Sequence, residues 1–224
     1  MHTFLLILLG WAYPYPVLPN KGKTADDFIP KGYQVIQHVM GHLDADTITD
    51  AVLIIESIKG VQNLKETDHN QQPRILFILL GQKEGGYHLS VQSNESTMLS
   101  DDGGVFGDPL AELFIENKVV HVSYYGGSNF KWDYTYKWRL QQNDWYLIGA
   151  THSTMNPIDN VMETYDFNFN TGKAEYTKMP YLEEDDGKES VVSQVKKLKP
   201  GKKPLLKLKT FKFGSQRIYK NIYI

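Results

Sequence analysis

From Tyr33 onward the chain alternates short apolar runs with clusters of turn residues, the pattern of an antiparallel sheet in which sequence neighbours pair in space. The clearest run spans Trp132 to Leu140. Trp132, Tyr134, Tyr136, Trp138 and Leu140 alternate with Asp133, Thr135, Lys137 and Arg139, so a strand puts the apolar side chains on one face and the polar ones on the other. A helix would scatter the same rings around its axis. Arg74 to Leu80 and Tyr87 to Val91 are joined through Gly81 to Gly86, whose paired glycines permit the positive φ of a tight turn. Glu112 to Glu116 turns at Asn117 and Lys118 into Val119 to Tyr125, which leads through Gly126 to Asn129 into the Trp132 strand. Asn143 and Asp144 supply a turn before Trp145 to Gly149, and Tyr165 to Phe169 and Ala174 to Tyr176 flank Asn170 to Lys173. The pattern predicts a mainly β fold with little helix: an antiparallel meander of hairpins, forming a twisted sheet or partly closed barrel, over residues 28–178.

The flanks read differently. Past Met179-Pro180, residues 183–187 form an acidic loop, and Val191, Val195 and Leu198 then recur at helical spacing until Pro200-Gly201, which predicts a short helix. From Val191 to the C-terminus the chain is rich in lysine and has no acidic residue. Leu205, Leu206, Leu208, Phe211 and Phe213 interleave with those lysines, which predicts a last edge strand blunted by charge. Residues 179–224 are therefore expected to pack as an extension on the same domain. At the other end, Phe4 to Leu9 is an unbroken apolar run followed by Gly10, Trp11 and Ala12, a small-x-small arrangement suited to signal peptidase. Residues 1–27 are expected to be a signal sequence and linker, and the protein to be exported to the periplasm, the cell surface or the medium. The run is too short to cross a bilayer as a helix, which takes about 20 residues, and nothing later qualifies.

Composition narrows the chemistry. At 224 residues the chain suffices for one packed core, and 24 Lys+Arg against 26 Asp+Glu give no electrostatic reason to expect nucleic acid. The absence of cysteine excludes disulfides, thiolate metal sites, a cysteine nucleophile and a lipid-carrying cysteine. H-E-x-x-H, G-x-S-x-G, P-loop and dinucleotide patterns are all missing, so the reading leans away from an enzyme.

Three places remain where chemistry is conceivable. Asp44, Asp46 and Asp50 lie in the loop Gly41 to Asp50 between two apolar runs, and closely spaced carboxylates in a tight loop suit calcium, which takes several oxygens at about 2.3–2.6 Å. The same aspartates also suit Asx-turns, bonding their own backbone. Asp101, Asp102 and Asp108 flank Gly103-Gly104-Val105-Phe106-Gly107, where they suit either acid-base work, as in a hydrolase of cell-surface polymers, or ordinary turn punctuation. Tyr125 and Phe130 fall off the inward register or in a loop, and are candidates to contact a sugar ring or a peptide.

Two resemblances bear on these residues. The stretch from His42 to Asp50 resembles the calcium loop of FG-GAP or VCBS-type repeats, roughly D-x-[DN]-x-D-G-x-x-D: His42, Asp44, Asp46 and Asp50 fall on side-chain ligand positions and Ile48 on the carbonyl position, with Thr47 where the pattern has glycine. Over roughly Phe28 to Thr177, the ordered set Phe28 to Gly32, Arg74 to Leu76, Gly103 to Pro109, Tyr124 to Ser128, Tyr134 to Tyr136 and Trp145 to Gly149 resembles a group of exported bacterial proteins and lipoproteins with no assigned activity. That resemblance implies an exported bacterial protein and supplies no catalytic residues. The expectation is a noncatalytic exported protein that binds or scaffolds an envelope component, glycan or protein ligand, with no cofactor or with calcium. The alternatives are the polymer hydrolase and a calcium-stabilised structural module.

Overall fold

The computed structural model describes residues 15–58, 61–62, 70–180, 194–220 and 222–224. The apolar run at Phe4 to Leu9 and the acidic loop at 183–187 lie outside them. Among the described residues the chain is strand and loop with two short 3-10 turns, Ala25–Phe28 and Leu208–Thr210, and no α-helix.

Two antiparallel sheets carry the fold. The first uses β1 (Lys21–Gly22), β2 (Tyr33–Gly41) and β3 (Asp50–Ser57). After a small ribbon of β4 (Val61–Gln62) and β5 (Asn70–Gln71) it resumes with β6 (Arg74–Gly81) and β7 (Tyr87–Ser93), in the order β1-β7-β6-β3-β2. The second is a seven-stranded meander of β8 (Leu110–Glu116), β9 (Val119–Gly127), β10 (Lys131–Gln141), β11 (Asp144–Asn156), β12 (Val161–Asn168), β13 (Lys173–Met179) and β14 (Gln194–Leu198), closing on a C-terminal ribbon of β15 (Arg217–Tyr219) and β16 (Ile222–Tyr223). The sheets face each other without closing into a barrel. Gly41 at the edge of β2 lets Ile115 of β8 pack against bare backbone.

The predicted alternation sets the core. Tyr136 and Trp138 of β10, Val120 and Val122 of β9, and Trp145 and Leu147 of β11 point inward against Val52 and Ile54 of β3 and Leu76 and Ile78 of β6. β3 and β6 are buried along their whole length because the other face is covered too: Ala51, Leu53, Ile55, Ile75, Phe77 and Leu79 pack under Leu18 and Phe28 of the N-terminal segment. Gln92 ties that segment down, accepting from the Leu18 N–H at 3.0 Å and donating to the Pro16 carbonyl at 2.7 Å. Burial on both faces explains why these two strands read as continuous apolar runs.

The structure corrects two expectations about the C-terminal third. Gln194–Leu198 is not helical; it is an edge strand whose residues pair with β13 from Ala174↔Leu198 to Lys178↔Gln194. A helix so short is marginal alone, and the unpaired backbone groups of β13 are the stronger partner. Lysines do blunt this edge, at Lys196 and Lys197. The segment from Leu205 to Phe213 is conversely not an edge strand. Leu208 and Phe211 are buried in the main core, and the Leu206 carbonyl accepts from Leu147 N–H at 2.9 Å while the Leu208 carbonyl accepts from the Ser93 hydroxyl at 2.7 Å. It plugs the side of the sandwich between β7 and β11 where apolar surface would otherwise meet water, and burial of large side chains outweighs the few ladder bonds an edge position offers.

Candidate functional site

Strand register places the candidate loops at opposite ends of the sandwich. One end, the Asp44 end, collects the β2–β3 loop, the β6–β7 turn and the two-residue turns Asn117-Lys118 and Gln142-Asn143, whose φ values of 50° and 63° in each case are left-handed. The other, the Asp108 end, collects residues 94–109, 128–130 and 157–160, beyond the pairs Glu56↔Arg74, Lys131↔Gly127 and Asn156↔Val161.

At the Asp44 end the carboxylates are used to build the loop. Asp50 is fully buried; its Oδ2 accepts from Leu43 N–H at 2.7 Å and its Oδ1 from Gly81 N–H at 3.0 Å, so one side chain at the start of β3 ties the opposite limb of the loop to the end of β6. Burial pushes its pKa up. Asp44 Oδ1 accepts from Asp46 N–H at 2.9 Å and Asp46 Oδ1 from Ile48 N–H at 2.8 Å, two consecutive Asx-turns, while His42 Nδ1 lies 3.2 Å from the Ile48 carbonyl. The donor set fits calcium poorly: both Asp50 oxygens face N–H groups, and among the described residues no group of three or more His, Asp or Glu is arranged to hold a metal. Asp44 and Asp46 instead line an open groove of about 820 Å³ with His88, Lys118 and Arg139 over a floor that includes Leu43, Leu80 and Leu140.

At the Asp108 end the organising group is Arg74, which the sequence did not single out. Its side chain is fully buried at the start of β6. It donates from Nε to Glu56 at 2.8 Å, from both terminal nitrogens to Asp108 at 2.9 and 2.5 Å, and to the Met98 carbonyl at 3.2 Å. Burial opposes the guanidinium charge, yet the bonds to Asp108 and Glu56 outweigh it and raise the pKa. The signal was a charge at the mouth of each all-apolar strand: Arg74 before Ile75, Glu56 after Ile55. Asp102 accepts from Leu99 N–H at 2.7 Å and is raised in pKa by burial, with Asp101 beside it adding repulsion. Asp108 and Asp102 are thus engaged in holding the 94–109 loop.

That loop lies against the next turn by backbone. Gly103 accepts from Gly127 N–H at 3.0 Å and Val105 N–H donates to Gly127 at 3.0 Å, an approach closed to larger residues, since a Cβ on Gly104 would stand 2.6 Å from the Gly127 carbonyl. The Tyr125 ring meets Phe106 with centroids 5.2 Å apart, and Phe130 projects from the adjoining turn more than half exposed. The two ring candidates therefore lie at the same end, and Tyr125 gains Phe106 as a ring neighbour.

The outer face of the seven-stranded sheet carries a hydroxyl–carboxylate chain: Ser153 donates to Asp133 at 3.2 Å, Thr164 to Ser153 at 3.1 Å and Thr151 to Asp166 at 2.7 Å. Burial raises the Asp133 pKa. His152, the neighbour of Ser153, points to the inner face, stacked on Tyr134 at 4.3 Å, so it does not reach the hydroxyl as a base. Its burial lowers its pKa to about 4, and it is neutral at pH 7.

Comparison with known protein families, with curated proteins and with solved structures finds no match. Among the described residues no helix is long and apolar enough to cross a membrane.

Proposed function

We propose that this is a noncatalytic exported protein that binds or scaffolds a component of the bacterial envelope or its surroundings, and that it does so through the Asp108 end. The observation that carries the reading is the division of labour there. Asp108 is clamped on a buried arginine and Asp102 on a backbone N–H, so the carboxylates shape the loop, while Phe106 of the loop, Tyr125 of β9 and Phe130 of the adjoining turn are the rings this end presents. Rings held on short, glycine-tightened turns offer contact area with little entropy to lose. The apolar run Phe4 to Leu9 supports export.

The test has two parts. Fractionation of cells expressing the full chain with a C-terminal tag should place it outside the cytoplasm; retention in the cytoplasm would overturn the export reading. Purified protein should then be retained by an envelope preparation containing membranes, sacculi and surface polysaccharide. A Phe106→Ser, Phe130→Ser variant should lose at least tenfold in retention, whereas undiminished retention would remove the Asp108 end as the contact surface.

A further inference from the structure

We propose that the C-terminal strap, residues 200–206, closes a binding cavity for a short-chain aliphatic anion on the flank of the seven-stranded sheet. None of the residues around this cavity belongs to the Asp108 end, so the inference stands apart from the reading above.

The cavity measures about 70 Å³, room for about three to five methylene-sized groups. The sheet contributes Leu147 of β11, Phe167 of β12 and Phe169 just beyond it. The strap contributes Pro204, Leu205 and Leu206, and the C-terminal ribbon adds Ile218 and the fully buried Ile224.

Backbone bonds tie the strap to the sheet at both ends. Gly201 N–H donates to the Gly172 carbonyl at 3.2 Å, and the two segments run so close there that a Cβ on Gly172 would stand 2.6 Å from the Lys202 nitrogen. At the other end Leu147 N–H donates to the Leu206 carbonyl at 2.9 Å, and Lys207 forms an antiparallel bridge with Tyr146. Pro200 and Pro204 each fix their own φ and offer no N–H to the sheet. A stiff segment tied at both ends has little slack to fill the space beside Phe167 and Phe169.

Charge selects the ligand. Every ionisable side chain around the cavity is a cation, Lys173, Lys203 and Arg217, and all three are exposed. Counting the α-carboxylate of Ile224 against them still leaves the set positive. Lys203 and Arg217 donate to the carbonyls of Arg217 and Lys220, which leaves their charge uncompensated, and among the described residues none of the three makes an ion pair. The acids of this part of the sheet, Asp166 and Glu175, are cross-strand partners on the outer face, where Asp166 pairs with Lys137 and Glu175 stands opposite Lys197. An apolar interior disfavours a sugar or a bare hydrophilic ion, and a cationic rim disfavours a cationic amphiphile. A chain of a few carbons with an anionic head satisfies both.

The test is a titration of the methyl-labelled full chain followed by NMR. Hexanoate and hexyl phosphate should each move the methyl signals of Leu147, Leu205 and Ile218, and the tighter of the two names the head group. Hexan-1-ol should bind at least tenfold more weakly than the tighter anion. Along acetate, butyrate, hexanoate and octanoate, affinity should rise about fourfold per methylene and level off once about three to five carbons are inside. Arg217→Gln should weaken the anions several-fold and leave hexan-1-ol unchanged. Ile218→Phe, which fills the cavity, should abolish binding of all three while circular dichroism and melting temperature stay at the parent values, and Leu205→Phe supplies a second filled variant should the first fail to fold. The Phe106→Ser, Phe130→Ser variant should bind hexanoate as the parent does. Equal affinity for hexan-1-ol and both anions, or methyl signals unmoved by either anion at millimolar concentration, overturns the proposal.

Discussion

Replacing Arg74 by methionine should destabilise the protein by about 3–5 kcal/mol, because it removes one partner of a buried ion network and leaves the others in place. The structure divides the loss. Glu56 is 8% exposed, accepts from Arg74 Nε at 2.8 Å and lies 2.7 Å from Nη2 as an ion pair, so its carboxylate would stay buried without a cation, and the Met98 carbonyl would lose its 3.2 Å donor. Asp108, with about half of its side chain in solvent, can rehydrate, so Asp108→Asn should cost only about 1 kcal/mol. Domains of this kind are stable by about 5–15 kcal/mol in all, so Arg74→Met should move a urea midpoint substantially and remain measurable. A double-mutant cycle over Arg74 and Asp108 should return a coupling of about 1 kcal/mol, because without Arg74 the half-exposed Asp108 is hydrated and its replacement costs little. Arg74→Lys should recover little of the loss, because an ammonium cannot serve Glu56, Asp108 and Met98 in the planar fork that reaches all three. The assay is equilibrium urea unfolding at pH 7 followed by tryptophan fluorescence. A loss below about 1 kcal/mol for Arg74→Met, or equal losses for Arg74→Met and Asp108→Asn, would refute the claim that a buried clamp anchors the 94–109 loop.

Other sites give further expected outcomes. His152 binds its proton less readily folded, at about pKa 4, than unfolded at 6.5, so its contribution to stability is complete above pH 6.5 and is lost as pH falls toward 4. That loss is at most about 3 kcal/mol, and His152→Phe, which keeps the stack on Tyr134, should flatten this part of the stability–pH curve; an unchanged slope would show the imidazole is not the titrating group. Asp50→Ala should destabilise by about 2–4 kcal/mol in thermal or urea unfolding, since the Leu43 and Gly81 N–H groups both lose a charged acceptor. Calcium at millimolar concentration should leave the melting temperature unchanged within about 1 °C, because the loop aspartates are committed to backbone; a clear rise would restore the metal reading. Gly104→Ala should cost more than about 1 kcal/mol by urea unfolding, from a φ of +69° and a Cβ 2.6 Å from the Gly127 carbonyl.

What was legible in the chain was local. The Trp132 to Leu140 alternation and the turns at Asn117-Lys118 and around Asn143 specify hairpins because side-chain period and turn geometry act over a few residues. The all-apolar runs of β3 and β6 announced burial on both sides but not what covers them: Leu18 comes from the stretch expected to be linker, and Phe28 stands at the boundary where the β domain was expected to begin. The lysine-rich stretch from Leu205 to Phe213 misled because apolar side chains among lysines look alike on an edge strand and on a plug, and only the open flank of the sandwich distinguishes them. Arg74 and Asp108 are 34 residues apart, so their pairing needs the fold, although a lone charge at the head of an apolar strand is a visible demand for a partner. Phe130 was legible as an exposed ring.

Hydrogen–deuterium exchange of the full chain, with and without an envelope preparation, tests most directly the claim that the Asp108 end makes the contact. Envelope material should slow exchange in residues 103–107, 127–131 and 156–160 and leave 42–49, 82–86, 117–118 and 142–143 as in the free protein. Slowing confined to the second set would place the contact at the Asp44 end and contradict the account.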